Sequence, residues 1–171
     1  MPSLDAELEQ LYLSNWDRLR DGIPRGCSMS NPLLAAVPEG YERSQTRLLV
    51  VGKETHGWWG HWDEGKDRDE VAVLRAKYSS FERGRNHHSP FFQAASALQR
   101  YLNPDSDPFA FIWLNLFICD QSKRLPKEPA AEQTRNISLL REEIAILRPD
   151  AVVFFYGANL RLHDQASAIF S

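Results

Sequence analysis

Cysteine is nearly missing from the chain. Cys27 and Cys119 are the only two, far apart and outside any CxxC spacing, which excludes a disulfide framework and a thiolate zinc or iron–sulfur site and suits reduced, buried small side chains. No apolar run approaches the roughly 20 residues that a membrane helix needs, and the first residues lack the basic-then-apolar pattern of a secretory signal. The expectation is therefore a cytoplasmic protein with no membrane partner. A basic excess is also lacking: the formal net charge is −3, which argues against strong non-specific attraction to nucleic acid and still permits a local basic groove. The five histidines stand in no H-E-x-x-H arrangement and have no matching carboxylate spacing, so neither a metal nor a cofactor is expected. There is no internal repeat and no low-complexity run.

What remains is an ordinary globular composition. With 171 residues, 43% hydrophobic and 25% charged, the chain reads as a single domain, residues 1–171, able to bury one core. Ser3 is a plausible cap for a helix with Leu8, Leu11, Tyr12, Trp16 and Leu19 at helical spacing. Residues 22–46, rich in proline and glycine, read as a connection to the first strand. A helix from Asp69 to Glu82 should turn Val71, Leu74, Tyr78 and Phe81 inward, with the mixed charges from Lys66 to Lys77 on its exposed face. Ser89-Pro90 has the form of a helix start and puts Phe91, Ala95, Leu98 and Leu102 on one face, with Asn103-Pro-Asp as the stop. A second strand runs from Phe109 to Ile118, a helix from about Ala130 to Leu147 with Ile137, Leu140, Ile144 and Leu147 buried, and a third strand from Ala151 to Tyr156. Strands joined by helices of this length predict right-handed crossovers and a three-layer α/β/α domain around a mainly parallel sheet.

The stretch from Arg47 to Gly60 organises this plan. Leu48 to Val51 are continuously apolar, as in a strand covered on both faces. Gly52 ends the strand, and Glu54 and His56 emerge at its carboxyl end, where ligands bind in open α/β sheets. They are the candidate catalytic residues. Gly57, Trp58, Trp59 and Trp62 follow, and at most one of the tryptophans is expected to stack a ligand. Arg83, Arg85, His87 and His88 precede the Ser89 helix start, where helix amides and dipole attract anions. They are candidate phosphate contacts, with a solvated loop as the alternative.

Three motifs in order, Val-Val-Gly-Lys-Glu-Thr-His-Gly-Trp, Trp-Leu-Asn-Leu-Phe and Val-Val-Phe-Phe-Tyr-Gly, resemble the uracil-DNA glycosylase superfamily between about Arg47 and Leu160. Gly52, Lys53 and Glu54 match the family's glycine, following residue and polar catalytic group, with Thr55 where proline is usual. Asn115 matches the asparagine of the second strand. The family's C-terminal histidine motif has no match, since His163 lies in a predicted helix. The domain is accordingly expected to be truncated at its C-terminus, with a sheet edge left open beyond the third strand. The resemblance implies hydrolysis of the N-glycosidic bond of uracil or a related deaminated base, flipped out of single- or double-stranded DNA. It places Gly52, Lys53, Gly57, Trp58, Asn115, Tyr156 and Gly157 around the substrate. Glu54 would orient water and stabilise the cationic sugar, and Asn115 would pair with the base edge. Two alternatives stand beside it: a catalytically silent nucleobase- or nucleotide-binding module of the same fold, and a purely structural partner-binding domain.

Overall fold

The computed structural model describes residues 2–23, 28–62, 67–81, 89–123 and 137–155, together with Ser167. Helix α1 (Leu4–Gly22) starts where Ser3, in extended conformation, accepts a hydrogen bond from the Ala6 amide. Its inward stripe is Leu8, Tyr12 and Trp16, with Leu11 and Leu19 only partly covered. Strand β1 (Leu48–Gly52) is buried at every residue. It lies at the centre of a three-stranded sheet, flanked by β2 (Ile112–Asn115) and β3 (Ala151–Phe155). Both pairings are parallel, with Val50 opposite Trp113 and Val153. The continuous apolar run of β1 follows from this position, because a central strand has no wet face. At the entry to β1, the Arg47 guanidinium forms a two-pronged pair with Asp150 and holds that carboxyl down to about 2.

The other helices are α2 (Asp69–Ser80), α3 (Pro90–Leu102) and α4 (Ile137–Leu147). α1 packs on α2 and α4, and α3 lies against β1. The architecture is thus mixed α/β around a small, open parallel sheet. None of the described helices is long and apolar enough to cross a membrane.

Several sequence expectations are corrected in detail. β2 covers only Ile112–Asn115, because beyond Asn115 the chain follows the loop after β1 instead: the Phe117 amide donates to the Lys53 carbonyl and the Leu33 amide to the Ile118 carbonyl. Helix α2 stops before Phe81, which turns extended at ψ 113°. Arg75 on α2 is buried, not solvated, and bridges Asp5, Glu9 and the Ala35 carbonyl. The buried stripe of α3 is Phe92, Ala95, Ser96 and Gln99, one residue round from the expected face, while Phe91 turns towards Trp113 and Phe155. On α4 the buried side chains are Leu139, Leu140, Glu143 and Leu147, with Ile137 and Ile144 only partly covered. Glu143 can be buried because the Tyr12 hydroxyl donates to it at 2.6 Å, giving the carboxylate a partner inside the protein. Residues 30–36 are not a surface connection, since Ser30, Asn31 and Leu33 to Ala36 are all buried.

Candidate functional site

The chain leaves β1 through Gly52 and turns across the carboxyl ends of the strands. A Cβ at Gly52 would lie 2.4 Å from Asn115 Oδ1 and 3.4 Å from Trp113 Nε1. Glycine is therefore what lets these two side chains of β2 close over the end of β1. Trp113 and Asn115 are two residues apart on one strand and so share a face. The indole Nε1 donates to Asn115 Oδ1 at 2.9 Å. Because an indole nitrogen only donates, this bond fixes which end of the amide is oxygen. Asn115 Nδ2 is left as a buried donor with no hydrogen-bond partner.

Beyond Gly52 the loop is held from below by a residue that the sequence reading did not single out. Asp120 is 1% exposed. Its Oδ2 accepts from the Thr55 hydroxyl at 2.6 Å, the Gly57 amide at 2.7 Å and the Trp58 amide at 3.4 Å, and its Oδ1 accepts from the Lys123 amide at 2.6 Å. Thr55, which stands where the resembling family has proline, is thus a structural ligand of this carboxylate, and the Ser30 hydroxyl pairs with the Thr55 hydroxyl. From the other side, Asn31 donates to the Trp59 carbonyl at 2.6 Å and the Trp62 amide donates to the Met29 carbonyl. These bonds stabilise a strained loop: Trp59 has φ 47°, a conformation that costs a bulky residue about 1–3 kcal/mol. Asp120→Asn would in either orientation point an amide donor at donors already there, the Lys123 amide on one side or the Thr55, Gly57 and Trp58 groups on the other. We expect it to lower unfolding stability by roughly 2–3 kcal/mol, measured as a reduced urea midpoint with an altered near-ultraviolet signal from Trp58.

The result is a cavity of about 700 Å³ lined by Gly52, Lys53, Glu54, His56, Gly57, Trp58 and Asn115, all named from the sequence. Trp59, Phe81, Ser89, Phe91, Phe92, Trp113 and Phe155 complete it. The aromatic wall is continuous, with Trp58 edge-on to Trp113 at 5.5 Å, Phe81 5.8 Å from Trp113 and Phe91 5.6 Å from Phe155. The three candidate tryptophans have separate places: Trp58 is buried in the wall, Trp59 stands 44% exposed at the rim with the Lys77 ammonium 4.8 Å from its ring, and Trp62 packs edge-on against Trp16. Tyr156, Gly157, Arg83, Arg85, His87, His88 and His163 lie outside the described residues, as do Cys27 and, apart from Ser167, the chain beyond β3 where an open edge was expected.

Two buried polar atoms of the lining residues, Trp58 Nε1 and Asn115 Nδ2, have no hydrogen-bond partner, and Glu54 Oε2 has only the Lys53 ammonium at 3.5 Å. Native proteins seldom leave such atoms unmatched, and two unmatched donors beside a carboxylate suit a polar, planar ligand. Burial pushes the Glu54 carboxyl above the usual carboxylate range, against the pull of the Lys53 ammonium, which lies 3.5 Å from Oε2. His56 is exposed at the mouth. Cys119 is buried and free, its thiol pushed well up by burial, so it is not a nucleophile. No group of three or more potential metal-binding side chains occurs among the described residues.

In comparisons with known proteins, the chain matches no family model, no curated protein and no solved structure.

Proposed function

We propose that this cavity is the active site of an N-glycosidic hydrolase that takes a flipped nucleobase from DNA, with uracil or a related deaminated base as the released group. The observation that carries the reading is the placement of Glu54 and an orientation-locked Asn115 in one aromatic-walled cavity at the carboxyl ends of parallel strands. The resemblance of the three strand-end motifs to the uracil-DNA glycosylase superfamily supports the same chemistry.

In this mechanism the base lies among the aromatic side chains and the free Asn115 amide hydrogens meet a carbonyl oxygen on its edge. A keto group offers an acceptor there, whereas the amino group of cytosine or adenine brings a second donor and is disfavoured. Glu54, ionised, orients water towards the anomeric carbon and stabilises the positive charge that grows on the sugar as the bond to the base breaks. Trp59, at the rim, is placed to stack on a base or its neighbour. His56, exposed at the mouth, would assist proton movement to the departing base.

Release of free base from uracil-containing oligonucleotides, followed across pH, tests this reading. Because Glu54 must be ionised, activity should rise with pH through a limb above the usual carboxylate range. Lys53 favours the ionised form, so Lys53→Met should move that limb to higher pH. A rate that is flat across this window in both proteins would remove Glu54 from the mechanism. One observation favours the alternative of a silent base-binding module: the Lys53 ammonium already lies beside the Glu54 carboxylate. In that case the same cavity would bind bases without releasing them.

A further inference from the structure

A second cavity, about 300 Å³, shares Gly57 with the first. Its lining is of a different kind, with Ser28, Ser30, Ser122, His61 and Lys123 in place of the aromatic wall. Gly57 has φ +75°, and a Cβ there would meet the Lys123 side chain at 3.1–3.2 Å. The aliphatic stem of Lys123 therefore lies directly on the turn that both cavities share. Its ammonium has no carboxylate partner among the described residues, although Asp120 is only three positions away. Ser28 Oγ lies 3.2 Å from His61 Nδ1, which leaves the other ring nitrogen uncommitted. The Asp120 carboxylate also borders this space, but both its oxygens are met by the Thr55 hydroxyl and by the Gly57, Trp58 and Lys123 amides. Its charge is thereby spread into hydrogen bonds, and the Ser30 hydroxyl is likewise engaged by Asn31, Thr55 and Asp120, so that among the described residues the lining groups left without a partner are the Lys123 ammonium, one ring nitrogen of His61 and the Ser122 hydroxyl.

Resting on the reading of the first cavity as a nucleobase site, we infer that this second cavity is an anion subsite that holds a phosphate of the same nucleotide unit. A nucleotide joins a flat apolar base to a compact anion through a sugar, and the two cavities that meet at Gly57 in their linings offer those two environments at one turn of the chain. The cation is Lys123, a point charge on a flexible stem that can follow a phosphate oxygen, with Ser28, Ser122 and His61 as hydrogen-bonding partners. The phosphate of a nucleotide in a strand and that of a free mononucleotide present the same chemistry to it. Ionic contact of this kind weakens with salt, whereas base stacking does not follow salt closely.

Calorimetric titration of the full chain with deoxyuridine, deoxyuridine 5′- and 3′-monophosphate and inorganic phosphate tests the inference. One of the monophosphates should bind about tenfold more tightly than the nucleoside at low salt, in line with one charge-assisted contact. The increment should shrink as salt is raised. In Lys123→Met, which keeps the stem over Gly57 and removes the charge, the nucleotide-to-nucleoside ratio should fall close to one; Lys123→Arg should restore most of it. A uracil-containing oligonucleotide should show the same Lys123-dependent increment over a strand with a neutral methylphosphonate next to the uridine. Equal binding of nucleoside and both nucleotides by the wild type would overturn the subsite and leave the base site standing. Lys123-dependent binding of inorganic phosphate without binding of deoxyuridine would overturn the base reading and with it the linkage proposed here. Absence of binding by all of these probes would overturn both.

Discussion

Exchange of Glu54 for glutamine is expected to slow base release by roughly 10²–10⁴-fold while an uncleavable nucleotide analogue binds within a few-fold of wild type. The side chain keeps its size and its place on the cavity wall, but the charge that matters once the sugar turns cationic is gone. The same variant should be more stable than wild type at neutral pH. Glu54 is raised above the usual carboxylate range by burial, so the folded protein holds this proton at pH values where the unfolded chain has released it. Stability then falls as pH rises from the ordinary carboxyl value through the raised native one. Glutamine removes that loss, and Glu54→Gln should melt higher than wild type at pH 7, with the advantage fading as pH is lowered through the same window. Thermal melts at several pH values measure it. An equal or lower melting temperature at pH 7 would show that the Lys53 contact more than offsets the burial of the carboxylate.

Gly52→Ala should damage both rate and stability, because its Cβ meets the closest contact of any described glycine. The new Cβ would lie 2.4 Å from Asn115 Oδ1 and 3.2 Å from the Phe91 ring, and both neighbours are packed. Either β1 shifts or the Asn115 amide leaves Trp113 Nε1, and in both cases the donor that faces the base is displaced. A misplacement of about 1 Å at a reacting centre can cost roughly 100-fold, and overpacking adds roughly 1–3 kcal/mol of lost stability. The comparison is Asn115→Ala, which makes no clash. It should relax the choice between keto- and amino-bearing bases, whereas Gly52→Ala should lose both rate and stability. A Gly52→Ala protein with wild-type rate and urea midpoint would show that the end of β1 is far softer than its packing indicates.

The parallel sheet and the loop bearing Glu54 were legible because one pattern, four apolar residues closed by glycine, has a single easy physical solution. A strand that must be covered on both faces goes to the centre, and β1 lies there. Asn115 stood out as an amide in an apolar strand, and its bond from Trp113 could have been read from their two-residue spacing. Asp120 could not be found this way. A carboxylate after a strand looks like any loop residue, and its role depends on Thr55, Gly57 and Trp58 arriving from a segment more than sixty positions earlier. The helix faces misread on α3 and α4 have a related cause. Periodicity finds an apolar stripe, but Gln99 and Glu143 are buried through tertiary packing, and in the case of Glu143 through the Tyr12 hydroxyl. The buried run Leu33–Ala36 was masked by the prolines on either side, although its unbroken apolar character was a signal against a surface loop.

The central claim, that one cavity both recognises a base and cleaves its glycosidic bond, is tested most directly by single-turnover assays on wild type and Glu54→Gln in parallel. The substrates are single- and double-stranded oligonucleotides containing one uracil, thymine or hypoxanthine, and free base released and oligonucleotide bound are measured on the same samples. The account predicts that wild type releases a deaminated base, uracil first, and that Glu54→Gln retains the bound oligonucleotide but releases at least a hundredfold less. Folded wild-type protein that binds these strands yet releases no base, or a Glu54→Gln variant that releases it at the wild-type rate, would contradict it.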